Sequence, residues 1–248
     1  TVTTFANDHR EFWKRDRQGR SSFHVASNVF ISPAFPEVRG YEVDSFLKIL
    51  EGSQADGTQI EFVLEPTDVN GVIVYGYEAP ALAAFQEKHG HSPIEVPNDD
   101  HAWMQFRADY VTTFIRELRS KLNERVPRAA LTATIIAKNR TDYLKTFQDW
   151  PAWIEQGLLN GLYLWFRTTT DLEAVARHTR EAADLIQGRC PLIAQLSCYH
   201  PGSFQSPQLL LEAAHRAKDN GADALGVYRA HSVEQLGLWP VVEQLALL

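Results

Sequence analysis

Apolar and polar residues alternate over six short stretches, near 24–31, 58–65, 130–137, 161–167, 191–199 and 223–229. Between them the apolar residues recur every three or four positions, over 42–51, 80–89, 101–124, 150–157, 171–187 and 207–220. A period of two marks strands and a period near 3.6 marks helices that bury one stripe. The helix ends carry their own signals. Asn98-Asp99-Asp100 and Asp171 place side-chain acceptors where the first amides lack partners, Pro207 follows Ser206 into a first turn, and Gly188 and Gly221 close two helices before the next strand. Strand and helix in strict alternation predict an α/β chain of parallel strands with crossover helices. No Pro/Gly/Ser-rich linker interrupts it, so residues 1–248 are expected to form one domain.

Alternation also sorts the strand side chains into two faces. Ile60, Phe62 and Leu64, then Leu162, Leu164 and Phe166, make an oily face suited to helices. The opposite face gathers Gln59, Glu61, Val63 and Glu65, Thr132 and Thr134, Lys138, Tyr163, Trp165 and Arg167, Gln195, Ser197 and Tyr199, and Gly226 and Tyr228, with Asn28 on the first stretch. Polar groups on an inner face are costly unless they meet each other, water or a ligand. One answer is an internal network joining Glu61 to Arg167 or Lys138. The aromatic rings among them would be surplus to that, which favours a ligand cleft where the strands end. The loop Val74-Tyr-Gly-Tyr-Glu78 adds aromatic and acidic side chains in a position where binding residues concentrate.

Composition narrows the chemistry. A net charge of −7, with Lys and Arg interspersed among acids, argues against a nonspecific nucleic-acid binder. The longest apolar runs are strand-sized, so no membrane span is expected. Six Trp within an 11% aromatic content suit sugar rings, whose C–H faces stack on aromatic planes, and suit a packed core equally. Cys190 and Cys198 are too few for a zinc site and too far apart along one strand to bridge, so both are expected free and buried. The histidines show no metal-binding spacing; His89, His91, Asp99, Asp100 and His101 could at most form a chance surface cluster. No metal or cofactor is expected. There is no Gly-x-Ser-x-Gly elbow, no P-loop and no Gly-x-Gly-x-x-Gly after a strand.

Several segments taken together resemble one family. They are Phe35-Pro-Glu-Val-Arg39 leading into a helix, Ala55-Asp-Gly-Thr-Gln-Ile-Glu-Phe62, Phe85-Gln-Glu-Lys-His-Gly90, Trp103-Met-Gln-Phe-Arg107, and Gln148-Asp-Trp-Pro-Ala-Trp153 before Leu162-Tyr-Leu-Trp165. In this order, over most of 23–170, they are similar to the glycoside-hydrolase-like (β/α)8 barrels of the glycosyl hydrolase-like 10 type and related bacterial proteins. Glu61 stands where those relatives have Asp. The resemblance implies a TIM-barrel-like fold, a carbohydrate substrate, and a chain that supplies the last six βα units of a longer protein. It leaves localisation open, a secreted or periplasmic full-length protein being one option, and the oligomeric state is unknown.

Hydrolysis of a glycosidic bond uses two carboxyl groups, about 5–5.5 Å apart for retention or about 6.5–9.5 Å for inversion. Glu61 is the first choice for one role. Glu65 shares its strand face but would lie about 13 Å along it, so Glu37, Glu65, Glu78 and Asp171 all stay open as partners. Catalysis is therefore assigned to Glu61, Glu65 and Glu78. Substrate binding is assigned to Arg39, Arg107 and Arg167 as bidentate donors, to Trp103 and Trp165 as stacking platforms, and to Lys138, Tyr199, His200 and Tyr228. Two rival functions remain: a carbohydrate-binding barrel without turnover, and a barrel lyase or aldolase with Lys138 as Schiff-base nucleophile.

Overall fold

The computed structural model describes residues 4–21, 29–62, 65–138 and 142–248. It divides into two compact units. One comprises residues 1–56, 63–129 and 142–149; the other comprises 57–62, 130–141 and 150–248.

The second unit holds the sheet. Strands β1 (Gly57–Glu61), β2 (Ala130–Ile136), β3 (Gly161–Phe166), β4 (Leu192–Ser197) and β5 (Ala224–Tyr228) lie side by side in chain order, every pair parallel. An order that never reverses is the winding of a barrel wall; a doubly wound sheet would switch direction at its middle. These five strands form an arc of a barrel. Of the first expected strand, residues 24–28 lie outside the described residues; Ile31 makes only an isolated antiparallel bridge with Trp13. The second expected strand is shorter than its pattern, because β1 stops at Glu61 and Glu65 lies beyond it.

The register shows two faces, as the alternation predicts. Ile60, Leu131, Ala133, Leu162, Leu164, Phe166, Leu192, Ala194 and Leu196 share one face and are all buried. The other runs Glu61, Thr134, Tyr163, Ile193 and Ala224 in one row and Ile136, Trp165, Gln195 and Gly226 in the next. α5 (Trp150–Glu155), α6 (Leu172–Ile186) and α7 (Pro207–Asp219) follow β2, β3 and β4, with α8 (Ala230–Gln235) and α9 (Trp239–Leu245) after β5. α6 and α7 pack on each other and on β4, and α7 and α8 pack on β5. Asp171 caps α6 by accepting from the amides of Glu173 and Ala174, both at 3.0 Å, and Ser206 caps α7 from Leu209 at 3.3 Å. α6 ends at Gln187 and Gly188, both left-handed.

The first unit is built round a long helix. α1 (Thr4–Asp8) is short; α2 (Pro36–Glu51) starts on Pro36, earlier than its apolar periodicity indicates; α3 (Ala79–His89) and α4 (His101–Arg125) match their expected spans. Asp100 caps α4 by accepting from the amide of Trp103 at 2.9 Å. The buried stripe of α4 is Trp103, Met104, Arg107, Ala108, Ile115, Leu118 and Leu122, with Phe106, Tyr110 and Phe114 half-buried beside it. Burial of such a stripe, at roughly 1.5–3 kcal/mol per large side chain, is what holds a 25-residue helix in place. Cys190 and Cys198 are both free and buried, and burial pushes both thiols up from their ordinary pKa. No helix among the described residues is long and apolar enough to cross a membrane.

Candidate functional site

The residues singled out from the sequence fall into the two units. Arg39, Glu65, Glu78, Trp103 and Arg107 belong to the first; Glu61, Lys138, Trp165, Arg167, Tyr199, His200 and Tyr228 belong to the second.

In the first unit each has a local job. Glu65 is ion-paired to Lys14 at 2.6 Å, both largely buried. Glu78 is not on an open loop: it is 2% exposed and accepts from the Arg15 amide at 2.7 Å and the Ser32 hydroxyl at 2.9 Å. Burial pushes its carboxyl above the usual range, against the opposing pull of those hydrogen bonds and of Lys14. The space beside it, about 20 Å³, holds one water at most and no sugar ring. Trp103 is fully buried against Tyr77, Phe85 and Phe106, so its faces are already covered. Arg107 is 3% exposed and donates to the carbonyls of Ile73, Tyr75 and Asn98 and to Asn98 Oδ1, at 2.8–3.2 Å. Its guanidinium also lies 4.5–5.6 Å from the ring centres of Phe147, Trp103 and Tyr77. Burial lowers its pKa to about 10, so it stays charged at neutral pH. Arg39 pairs with Glu117 at 2.9 Å and donates to the Pro33 carbonyl. The stacking role expected of Trp103 and the substrate contact expected of Arg107 meet a core in which both side chains are enclosed. Sequence periodicity places both on the helix without telling which stripe faces inward.

The second unit gathers its residues at and just past the C-terminal ends of the strands. Trp165 on β3 lies 5.0 Å from Tyr228 on β5 and 6.1 Å from His200, the third residue after β4, measured between ring centres. Tyr199 packs edge-on to His200 at 4.5 Å and lies 6.2 Å from Tyr228. Tyr199 is 40% exposed and Trp165 only 7%, so the tryptophan expected as an open platform is instead the floor and the tyrosine is the outer ring. Two guanidinium groups border the rings: Arg167 at 5.7 Å from Trp165, and Arg229 at 3.9 Å over Tyr199. Partial burial and the charges of Arg167 and Arg229 lower the His200 pKa, which favours its neutral form. Trp165 Nε1 and the Gln195 side-chain oxygen are buried without hydrogen-bond partners, on residues that face each other in the register. Lys138 lies half-buried two residues past β2. Arg229 was not singled out from the sequence; its signal is that Tyr228-Arg229 ends β5 much as Trp165-Phe-Arg167 ends β3.

Glu61 is the last residue of β1, on the same face as Thr134 and Tyr163. It is exposed, where the alternation suggested a carboxylate deep on that face, because β1 flanks the sheet and has a strand on only one side among the described residues.

Parallel strands wound in one direction, an oily face, and aromatic and charged side chains collected past the strand ends define a barrel-type (β/α) protein of the kind that works at its C-terminal rim. The chain belongs to the glycosyl hydrolase-like 10 family, whose model matches residues 4–190. Among solved structures it is similar to the PgaB (BpsB) glycoside hydrolase domain from Bordetella bronchiseptica, with a TM-score of 0.64, 16% identity, and coverage of 87% of this chain and 62% of that one. It is likewise similar to a β-galactosidase from the psychrophilic Marinomonas ef1, with a TM-score of 0.64, 14% identity, and coverage of 92% and 42%. An agarase, AgWH50C, gives a TM-score of 0.51, 13% identity, and coverage of 84% and 35%. The chain thus spans less than two thirds of each of these structures. No curated protein matches it in sequence.

Proposed function

We propose that this chain binds a poly- or oligosaccharide at the C-terminal ends of β3, β4 and β5 and takes part in its hydrolysis, with Glu61 as one of the two carboxyl groups. The observation that carries the reading is the cluster of Trp165, Tyr199, His200 and Tyr228, which offers ring faces and edges together with polar tips. A saccharide ring pairs an apolar C–H face with a rim of hydroxyls, so aromatic groups with polar handles complement it. The family and the glycoside hydrolase neighbours support a glycosidase-type fold.

A second reading, saccharide binding without turnover, is favoured by one specific observation. The segments leading from β3 and β4 to the helices that follow them carry one acid, Asp171, whose Oδ1 is engaged as the cap of α6. The Schiff-base reading asks for a desolvated amine at Lys138, which is half-buried.

The test measures reducing ends released from a polysaccharide panel by the protein and its Glu61→Gln variant, with binding followed in parallel. The hydrolytic reading expects unchanged binding and a fall in kcat of about a hundredfold or more in the variant. Equal turnover in both removes Glu61 from the mechanism, and binding without any turnover in either establishes the second reading.

A further inference from the structure

The same cluster carries a charge that its sugar-binding reading does not need. Arg167 and Arg229 flank it from the ends of β3 and β5, and among the described residues no carboxylate pairs with either. Elsewhere Lys14, Arg20, Arg39, Lys121, Arg125 and Lys145 each face an acid within 3 Å, and Arg15, Arg17, Arg107, Arg119 and Arg189 donate to backbone carbonyls. The protein carries seven more acids than Lys and Arg together. Arg167 and Arg229 are two such cations brought to one end of the sheet, beside the aromatic cluster. The chain also supplies little to quench them nearby: Asp171 is engaged as a helix cap, the turn from Cys198 to Ser206 has no acid, and Glu234 accepts from Trp239 Nε1. Each guanidinium lies against an aromatic ring, which limits its freedom and leaves N–H edges to bind an anion. A planar carboxylate on a sugar ring is the group these forks fit bidentately, while the ring itself meets the aromatic side chains.

We infer that the saccharide taken at this site is acidic, a uronate-containing oligosaccharide whose carboxylate is held by Arg167 and Arg229. The inference rests on the saccharide-binding reading above and adds the charge class of the ligand. His200, held toward its neutral form by partial burial and by the charges of both arginines, serves the hydroxyls and not the charge.

The experiment titrates the whole protein with uronate oligosaccharides prepared from several polyuronates, each beside its carboxyl-reduced neutral counterpart and beside chitosan oligomers as a cationic control. The acidic member of a pair is expected to bind about tenfold tighter than its reduced partner at low salt. In the double variant Arg167→Gln/Arg229→Gln that difference should vanish, with the unfolding transition intact. A neutral or chitosan oligomer that binds as tightly as the acidic ones overturns the charge inference and leaves saccharide binding standing. Absence of binding to every oligosaccharide in the panel overturns both. A preference for acidic sugars that persists in the double variant also overturns the assignment, since it places the anion elsewhere.

Discussion

Glu78 shows what a single buried carboxyl does when its partners only partly offset the loss of water. Its two neutral donors and the nearby Lys14 favour the anion, and burial, the largest influence, favours the acid. The folded protein therefore holds this proton to higher pH than the unfolded chain, whose carboxyl titrates near 4.5. Below that pH both states are protonated and the site costs nothing; as pH rises from 4.5 through the raised folded value, stability is lost. Replacing Glu78 by Gln keeps an oxygen to accept from the Arg15 amide, turns an N–H toward the Ser32 hydroxyl oxygen, which can accept it, and abolishes the titration. Urea unfolding over a pH series should show the variant gaining on the parent as pH climbs through that window, then holding a constant lead. A parallel pair of curves would mean that the anion is fully compensated. Trp165 and Gln195 pose the same problem in neutral form, each with a buried polar atom unpaired, at a cost of about 1–3 kcal/mol per group.

Among the elements, the loop at residues 73–78 shows how helix α4 is used as a template. Arg107 donates to the carbonyls of Ile73 and Tyr75, and the chain between them and Glu78 is drawn onto the helix. Gly76 makes that approach with φ +111°, and a Cβ there would lie 2.5 Å from Arg107 Cδ. Both the left-handed backbone and the contact exclude a side chain. Gly76→Ala should destabilise the protein by about 3 kcal/mol, read as a lower denaturant midpoint with an unchanged slope. A loss under 1 kcal/mol would mean that the loop detaches from Arg107 cheaply. The apolar and aromatic character of this segment therefore reflects burial: Tyr75 and Tyr77 are in the core.

For the whole molecule, the sheet has consequences of its own. β1 and β5 each have a strand neighbour on one side only among the described residues, and unpaired strand edges invite pairing between copies. Next to β5 a groove of about 470 Å³ is lined by Leu225, Val227, Val233, Trp239 and Val242, and Trp239 is 43% exposed. Concentration-dependent association is expected in sedimentation velocity, and Ala224→Lys, a charge on an exposed edge position, should shift it toward monomer. Identical distributions for the two proteins would clear the β5 edge. The sequence by itself determined the last five strands, most of the helices and the two faces of the sheet, since period and caps are local and one-residue alternation leaves a strand no other way to bury Leu162, Leu164 and Phe166. It also named most of the aromatic cluster, because strand ends and the turns after them fix where Trp165, Tyr199, His200 and Tyr228 emerge. Only the tertiary structure decided which charges are spent. Glu65 with Lys14, Glu78 under its loop, Arg107 in its aromatic box and Arg39 with Glu117 are settled by partners 46 to 78 residues distant or by packing on a helix face. No local pattern encodes such pairings, because burial and the Coulomb energy of an ion pair depend on distance in space and not along the chain.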